Sequence, residues 1–401
     1  MSGTRRKPGE LGRHVEGYRE WLTARGYTPL TVRNMLKDLG QVGQWMSGEA
    51  LVTSQLDEDA MVSFLAARHG SGRLRELGPR AMMPLLMFLR QVGVTPVRQP
   101  SRTPLDALLG EYRIWMLQDR GLAQTTMLRY ENTARRFLQQ QAMINGALEP
   151  AQLTGLDINA FLLRECGRVS AGSAKGRVAE LRSVLRFLYV RGLTPLRLGA
   201  AVPPVGGWRL ATLPPPAMNV AAVQALLEGC DRTSDVGARD FAIITLVARL
   251  GLRSIEVARL ELGDVDWRAG ELVVRGKGRR QDRLPLPWEV GEALVAYLAW
   301  GRIPEDARRL FLTCRAPRGP IRADLVGDVV QRACLRAALP PVGPHRLRHA
   351  LAAELLRQGA GLLAIGQVLR HQDLGTTALY AKVDLVTLRL VAHLGQEGSG
   401  E

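Results

Sequence analysis

Cysteine is sparse in this chain: Cys166, Cys230, Cys314 and Cys334 are its four, widely spaced and forming no CxxC pair. They outline neither a disulfide framework nor a zinc site, and they fit a reducing compartment. No run of about 18 apolar residues occurs, so no transmembrane helix is expected. The opening MSGTRRKPGE carries charges without an apolar stretch behind them, and so does not read as a signal peptide. Neither GxxxxGK[ST] nor GxGxxG is present, which leaves nucleotide-driven chemistry without a visible phosphate cradle. Lysine is almost missing as well, with five residues against 49 arginines.

What is present is an apolar fraction of 46% over 401 residues. That is enough for real cores and suggests two or three domains. Lys and Arg total 54 against 38 acidic residues, a formal net charge of +16. The excess is +5 in residues 1–100, +6 in 101–200 and +5 in 201–401, so it does not form a basic tail. Charge spread in this way points to a polyanionic partner, nucleic acid before membrane.

Residues 197–219, RLGAAVPPVGGWRLATLPPPAMN, hold two proline clusters and paired glycines and read as a linker. The sequence before it is helical almost throughout and contains a weak repeat of about 95–100 residues. Trp21 to Gly26 with Thr31 matches Trp115 to Gly121 with Thr126. Leu56-Asp57 with Ala60 matches Leu156-Asp157 with Ala160, and Phe88-Leu89, Gly93, Thr95-Pro96 matches Phe187-Leu188, Gly192, Thr194-Pro195. The expected domains are therefore a helical bundle over 1–100, a second over 101–196, the linker over 197–218 and a third domain over 219–401. Gly93 and Gly192 suit helix C-termini. Beyond the linker, Asn219 caps an expected helix over 220–229, and 239–250, 254–260, 345–358, 361–370, 375–380 and 384–394 also read as helices. Glu271–Arg275 and Arg283–Leu286 read as a β-hairpin with a basic, glycine-flanked tip, and Leu310–Thr313 as a possible further strand. The fold class is mainly α, with one small antiparallel sheet.

Three of the six histidines, His345, His349 and His371, fall within 27 residues, and Tyr380 follows nine residues after the last. The i, i+4 spacing of His345 and His349 could serve a metal. However, the Glu of HExxH is absent, and Arg346 and Arg348 would repel a cation. The same charges suit phosphate. Arg348 lies one helical turn from His345, and Arg253 follows the turn glycine Gly251. Two guanidinium forks could hold a pentacoordinate phosphate without metal. Lys277 stands at the hairpin tip between two glycines. In a chain that writes positive charge as arginine, this lysine suggests an ammonium needed as a proton donor. A phenol such as Tyr380 can attack phosphorus if cations stabilise its phenolate.

Together, Gly251-Leu-Arg253-Ser-Ile-Glu256, Gly276-Lys277-Gly278, His345-Arg-Leu-Arg348-His349 and Leu369-Arg-His371 with Tyr380 resemble the tyrosine recombinase, or phage integrase, family in order and spacing. The resemblance covers about 217–395 well and 105–195 more loosely, as that family's helical core-binding domain. It implies that Tyr380 is a nucleophile forming a 3′-phosphotyrosyl link to DNA. Arg253 and Arg348 would bind the scissile phosphate, Lys277 would protonate the leaving 5′ oxygen, and His345 would assist proton transfer at the tyrosine. His371 would bond the phosphate, and Glu256 would support the site. The family needs neither metal nor cofactor.

The implied partner is double-stranded DNA with specific sites. The implied assembly is a tetramer of this chain, or one shared with sister recombinases, with 384–394 docking on a neighbour. The expected location is the cytoplasm, at the bacterial nucleoid, in the service of a mobile element's integration, excision or transposition. A type IB topoisomerase-like relaxase, or a non-catalytic DNA-binding protein of the same fold, are the alternatives. Two departures stand out. Arg370 occupies a position where glycine is common in the family, with a local effect expected. The bundle before residue 100 resembles a second core-binding domain, not the short arm-binding domain of many integrases.

Overall fold

The computed structural model describes residues 9–70, 79–95, 103–203, 218–276, 280–302 and 307–370. The chain divides into two compact units, one of residues 1–92 with 213–401 and one of 93–212.

Residues 9–95 fold as α1 (Val15–Ala24), α2 (Pro29–Gly48), α3 (Glu58–Gly70) and α4 (Pro79–Gln91). The start of α2 follows from its first residues. The Thr28 hydroxyl accepts the Thr31 N–H at 3.3 Å, and Pro29 occupies the first turn, where no intrahelical N–H bond is lost. Leu22, Leu39, Leu86 and Leu89 fill the interior with an aromatic trio, Tyr18, Trp21 and Phe88.

The unit of 93–212 contains α5 (Pro104–Gln118), α6 (Gln124–Asn145), α7 (Gly155–Cys166) and α8 (Ala171–Val190). Thr103, Thr154 and Ser170 cap α5, α7 and α8 through their hydroxyls. Its interior is built on Tyr112, Phe137, Phe161, Leu181 and Phe187. The aromatic trio recurs here as Tyr112, Trp115 and Phe187. The Tyr–Phe centroids lie 5.1 Å apart, against 5.2 Å for Tyr18 and Phe88. Arg120 lies over Trp115 as Arg25 lies over Trp21. Gly26 and Gly121, and then Gly93 and Gly192, all have positive φ. The Trp and Phe anchors thus meet a tyrosine in the same aromatic corner in both bundles.

The remaining elements are α9 (Val220–Glu228), α10 (Asp235–Leu250), α11 (Ser254–Arg259), β1 (Val265–Asp266), β2 (Glu271–Arg275), β3 (Gln281–Pro285), α12 (Trp288–Ala296), α13 (Ala323–Arg336), α14 (Pro344–Arg357) and α15 (Leu362–Val368). α10 is buried nearly all round, as its sequence requires, and packs against α9, α12, α13 and α14. β2 lies between β1 and β3 in an antiparallel sheet, pairing Leu272 with Leu284 and Arg275 with Gln281. Leu272 and Val274 turn inward to the core of α10 and α13, as period-2 alternation predicts.

Two readings differ from the structure. The two-residue strand β1 was not foreseen. Leu310–Thr313 forms only an isolated bridge, Leu312 to Pro320. Its backbone is satisfied elsewhere: Leu310 donates to the Leu260 carbonyl at 2.8 Å and Leu312 to the Tyr297 hydroxyl at 3.0 Å. The expected helices over 375–380 and 384–394 lie outside the described residues.

Candidate active site

The C-terminus of α10 builds the site. Gly251 takes φ +59°, the left-handed conformation that ends a helix, and leads directly to Arg253 at the N-cap of α11. The turn has no room for a side chain. A Cβ on Gly251 would lie 2.7 Å from Leu369 Cδ2 and 3.2 Å from Leu351 Cδ2.

Glu256, on the first turn of α11, is buried and receives three donors. The Arg253 backbone N–H reaches Oε2 at 2.8 Å, Arg253 Nη1 reaches Oε1 at 2.7 Å, and Arg370 Nη2 reaches Oε2 at 2.9 Å. Burial alone would push this carboxyl up. The Arg253 N–H, the Arg370 charge and the Arg253 guanidinium outweigh it and hold the group below the usual carboxylate range. Glu256 is therefore an anion wherever the fold persists near neutral pH.

Arg253 leaves about a third of its side chain exposed and donates Nη2 to the Arg370 carbonyl at 3.2 Å. A guanidinium has five N–H groups, so this fork keeps donors for an incoming anion. Arg348, one turn into α14, is buried and donates Nη1 to the Gly251 carbonyl and Nη2 to the Leu369 carbonyl. His345 opens α14 beside them and presents exposed surface. Desolvation of its inner side, and then the charges of Arg348 and Arg253, push its pKa below 6.5. Burial and the neighbouring His345, Arg346 and Arg348 lower His349 in the same sense. Both rings are neutral at pH 7.

The structure thus gathers Arg253, Arg348, His345 and Glu256 around one turn. Gly276 donates to the Arg280 carbonyl at 2.8 Å and closes the hairpin on either side of its tip. Lys277, at that tip, and His371 and Tyr380 lie outside the described residues.

Arg370 is the part that sequence reading underestimated. It has φ +55°, a conformation that favours glycine, and its buried side chain reaches the Leu250 and Gly251 carbonyls as well as Glu256. The departure therefore extends well beyond its own turn. Its one signal in the sequence was a long side chain standing where glycine is common.

Two guanidiniums, an imidazole of lowered pKa and an anchored carboxylate on a helical frame define an anion site, suited to a phosphodiester. Residues 217–385 match the model of the phage integrase family. An integrase/recombinase of Sinorhizobium fredii, y4rA, is 36% identical over 391 residues, 96% of this chain and 94% of that protein. Tyrosine recombinase XerD of Mycobacterium tuberculosis is 33% identical over 68% of this chain and 92% of that one. Among solved structures, a lambda integrase fragment crystallised as a dimer on a COC′ core site gives a TM-score of 0.52. It shares 17% identity over 69% of this chain and 94% of that one. XerH in a post-cleavage complex with its difH substrate also gives 0.52, with 17% identity over 74% and 98%. The chain belongs to the phage integrase family, the tyrosine recombinases.

Proposed function

We propose that this protein is a site-specific DNA recombinase that cuts and rejoins strands through a 3′-phosphotyrosyl intermediate. The observation that carries the reading is the convergence of Arg253, Arg348 and the neutral His345 on the turn after α10, in the order the family uses. The Tyr380 oxygen attacks the scissile phosphorus. Its P–O bond forms as the bond to the 5′ oxygen breaks, and Lys277 gives that oxygen a proton. His345 takes the phenol proton. Arg253 and Arg348 balance the charge that builds on the non-bridging oxygens, and His371 adds a hydrogen bond there. The phosphotyrosine conserves the bond energy, so rejoining by a 5′ hydroxyl needs no nucleotide.

Both relatives carry recombinase names, and the two solved structures are complexes with a core site and a difH substrate. This supports duplex DNA as the partner and a mobile element's integration, excision or transposition as the setting. The bundle of 103–203 fits a core-binding domain. Two duplexes and four cuts call for a tetramer of this chain, or one shared with sister recombinases, at the nucleoid. The apolar positions Leu385, Leu388 and Val391 fit a segment that docks on a neighbouring copy. A groove of about 930 Å³, lined in part by the exposed Trp267 and Trp288, offers such a segment a seat.

The test selects the binding site from a random-sequence DNA pool, then offers it as a nicked duplex. Wild type is expected to become covalently attached and Tyr380→Phe is not. Equal attachment by the two refutes the mechanism. Relaxation of supercoiled DNA lacking the site would instead support a topoisomerase. Deleting 384–401 is expected to abolish synapsis and leave binding intact.

A further inference from the structure

We infer that Arg370 is a positioning residue that sets the Arg253 fork, acting through Glu256 and through its own backbone carbonyl. The inference rests on the recombinase reading above and asks what aims one of its phosphate-binding groups.

Arg253 has two anchors in the described residues: Nη1 on Glu256 at 2.7 Å and Nη2 on the Arg370 carbonyl at 3.2 Å. Both lead to residue 370. The second anchor is its backbone, whose φ of +55° turns the carbonyl toward Arg253. The first is Glu256, whose Oε2 is shared between the Arg253 N–H at 2.8 Å and Arg370 Nη2 at 2.9 Å. The Arg370–Glu256 pair is almost fully buried, with side chains 4% and 2% exposed. A pair so desolvated holds its geometry, because separating it leaves a charge without compensation.

The same guanidinium reaches the Val368 carbonyl at 3.2 Å and the Gly251 carbonyl at 3.4 Å. Gly251 and Leu369 also supply the carbonyls that take Arg348. Arg370 therefore ties together the α10–α11 turn, the first turn of α11 and the segment after α15. Those three segments aim both candidate phosphate forks. A glycine at 370 could adopt the same backbone conformation and keep the carbonyl anchor, but it would leave Glu256 with Arg253 as its one remaining guanidinium among these contacts. The fork would then be drawn toward the carboxylate and away from the anion it must meet. Such a displacement of a reacting group is costly to rate while leaving the DNA-binding surface untouched.

The experiment measures single-turnover covalent attachment and equilibrium binding on the selected nicked duplex, using full-length protein. The variants are Arg370→Gly, Arg370→Lys, Glu256→Gln and the double variant Arg370→Gly with Glu256→Gln. The expected result is a loss of roughly 10- to 100-fold in cleavage rate for Arg370→Gly, measured at a temperature where the variant is fully folded, with DNA affinity within about twofold, and a lowered melting temperature because Glu256 loses a buried partner. Arg370→Lys, which keeps the charge without the fork, should recover part of the rate. The double variant should lose no more than the worse single variant, because both changes remove one linkage. Wild-type cleavage by Arg370→Gly overturns the inference. So does a loss of DNA affinity in step with the rate at a temperature where the variant is folded, since Arg370 would then be a brace of the fold alone. Additive losses in the double variant overturn the route through Glu256. If wild type itself forms no adduct, the recombinase reading falls and the inference falls with it. If wild type reacts and Arg370→Gly matches it, only the inference falls.

Discussion

Replacing Gly251 by alanine tests whether the turn after α10 sets the site by steric fit. Two effects oppose the substitution. Alanine at φ +59° sits in the left-handed region, at a cost of about 1–2 kcal/mol. The new Cβ would also lie 2.7 Å from Leu369 Cδ2, and Leu369 is fully buried, so repacking adds about 1–3 kcal/mol. Reduced freedom of the unfolded chain returns about 0.4–1 kcal/mol. The net loss is about 3 kcal/mol, or roughly 5 °C in melting temperature for a unit of about 280 residues. Gly270 supplies the control, because its φ is +64° and a Cβ there meets nothing within 4 Å. Gly270→Ala should cost only about 1 kcal/mol. Calorimetry of the two variants measures the difference directly. Leu369 and Gly251 hold Arg348, so covalent attachment by Gly251→Ala should fall even at temperatures where the variant stays folded. Equal melting temperatures for the two alanine variants would show that the turn has room to spare, and the steric reasoning would be wrong.

The pKa of His345 is pushed below 6.5, so its neutral form persists as pH falls past that value. The acid limb of cleavage is expected below pH 6.5 in a pH–rate profile, and a midpoint above 6.5 contradicts the assignment. The linked stability has the same sign: the unfolded state binds the proton first, so stability rises with pH up to about 6.5 and levels off above it. Phe187→Ala and Phe88→Ala each remove a buried ring from a separate bundle and should cost about 3–5 kcal/mol there. Hydrogen exchange should locate the first loss in 103–203 and the second in 9–95, and loss of protection in the opposite bundle would count against independent folding. DNA affinity should fall with a log–log salt slope of about −5 or steeper, and a slope flatter than about −2 would remove phosphate contacts as the main source of binding.

Much of this architecture is readable from local sequence. Asn219 caps α9 through Ala222, and the positive φ of Gly93, Gly192 and Gly251 sits where the glycines end their helices. The β2–β3 hairpin follows from alternation, and the i, i+3 spacing places His345 and Arg348 one turn apart on α14. What escaped notice depends on distant partners. β1 is two residues long and exists only because Val265 finds Leu272. Spacing places Arg348 on the face of His345, but its burial comes from carbonyls 97 and 21 residues away that receive it. Arg370 meets Glu256 across 114 residues, and no local pattern carries that pairing.

The arginine excess also divides by use. Arg129 and Arg177 both bind Glu180, Arg113 and Arg135 bind Glu131, and Arg136 binds Glu165, all as internal braces of one bundle. Arg239 and Arg332 share Asp240, and Arg370 holds Glu256. Glu180, Asp240 and Glu256 have side chains only 1–2% exposed. A planar, weakly hydrated fork can bridge two acceptors inside a fold at lower cost than a compact ammonium. The net charge of +16, and not the total of 54 cations, is therefore the measure of what remains for phosphate. It also follows that the ratio of 49 arginines to five lysines has a structural component, since Arg→Lys at these braces would lose a bond while keeping the charge. Lysine is then at least cost where a single ammonium meets solvent, outside such braces.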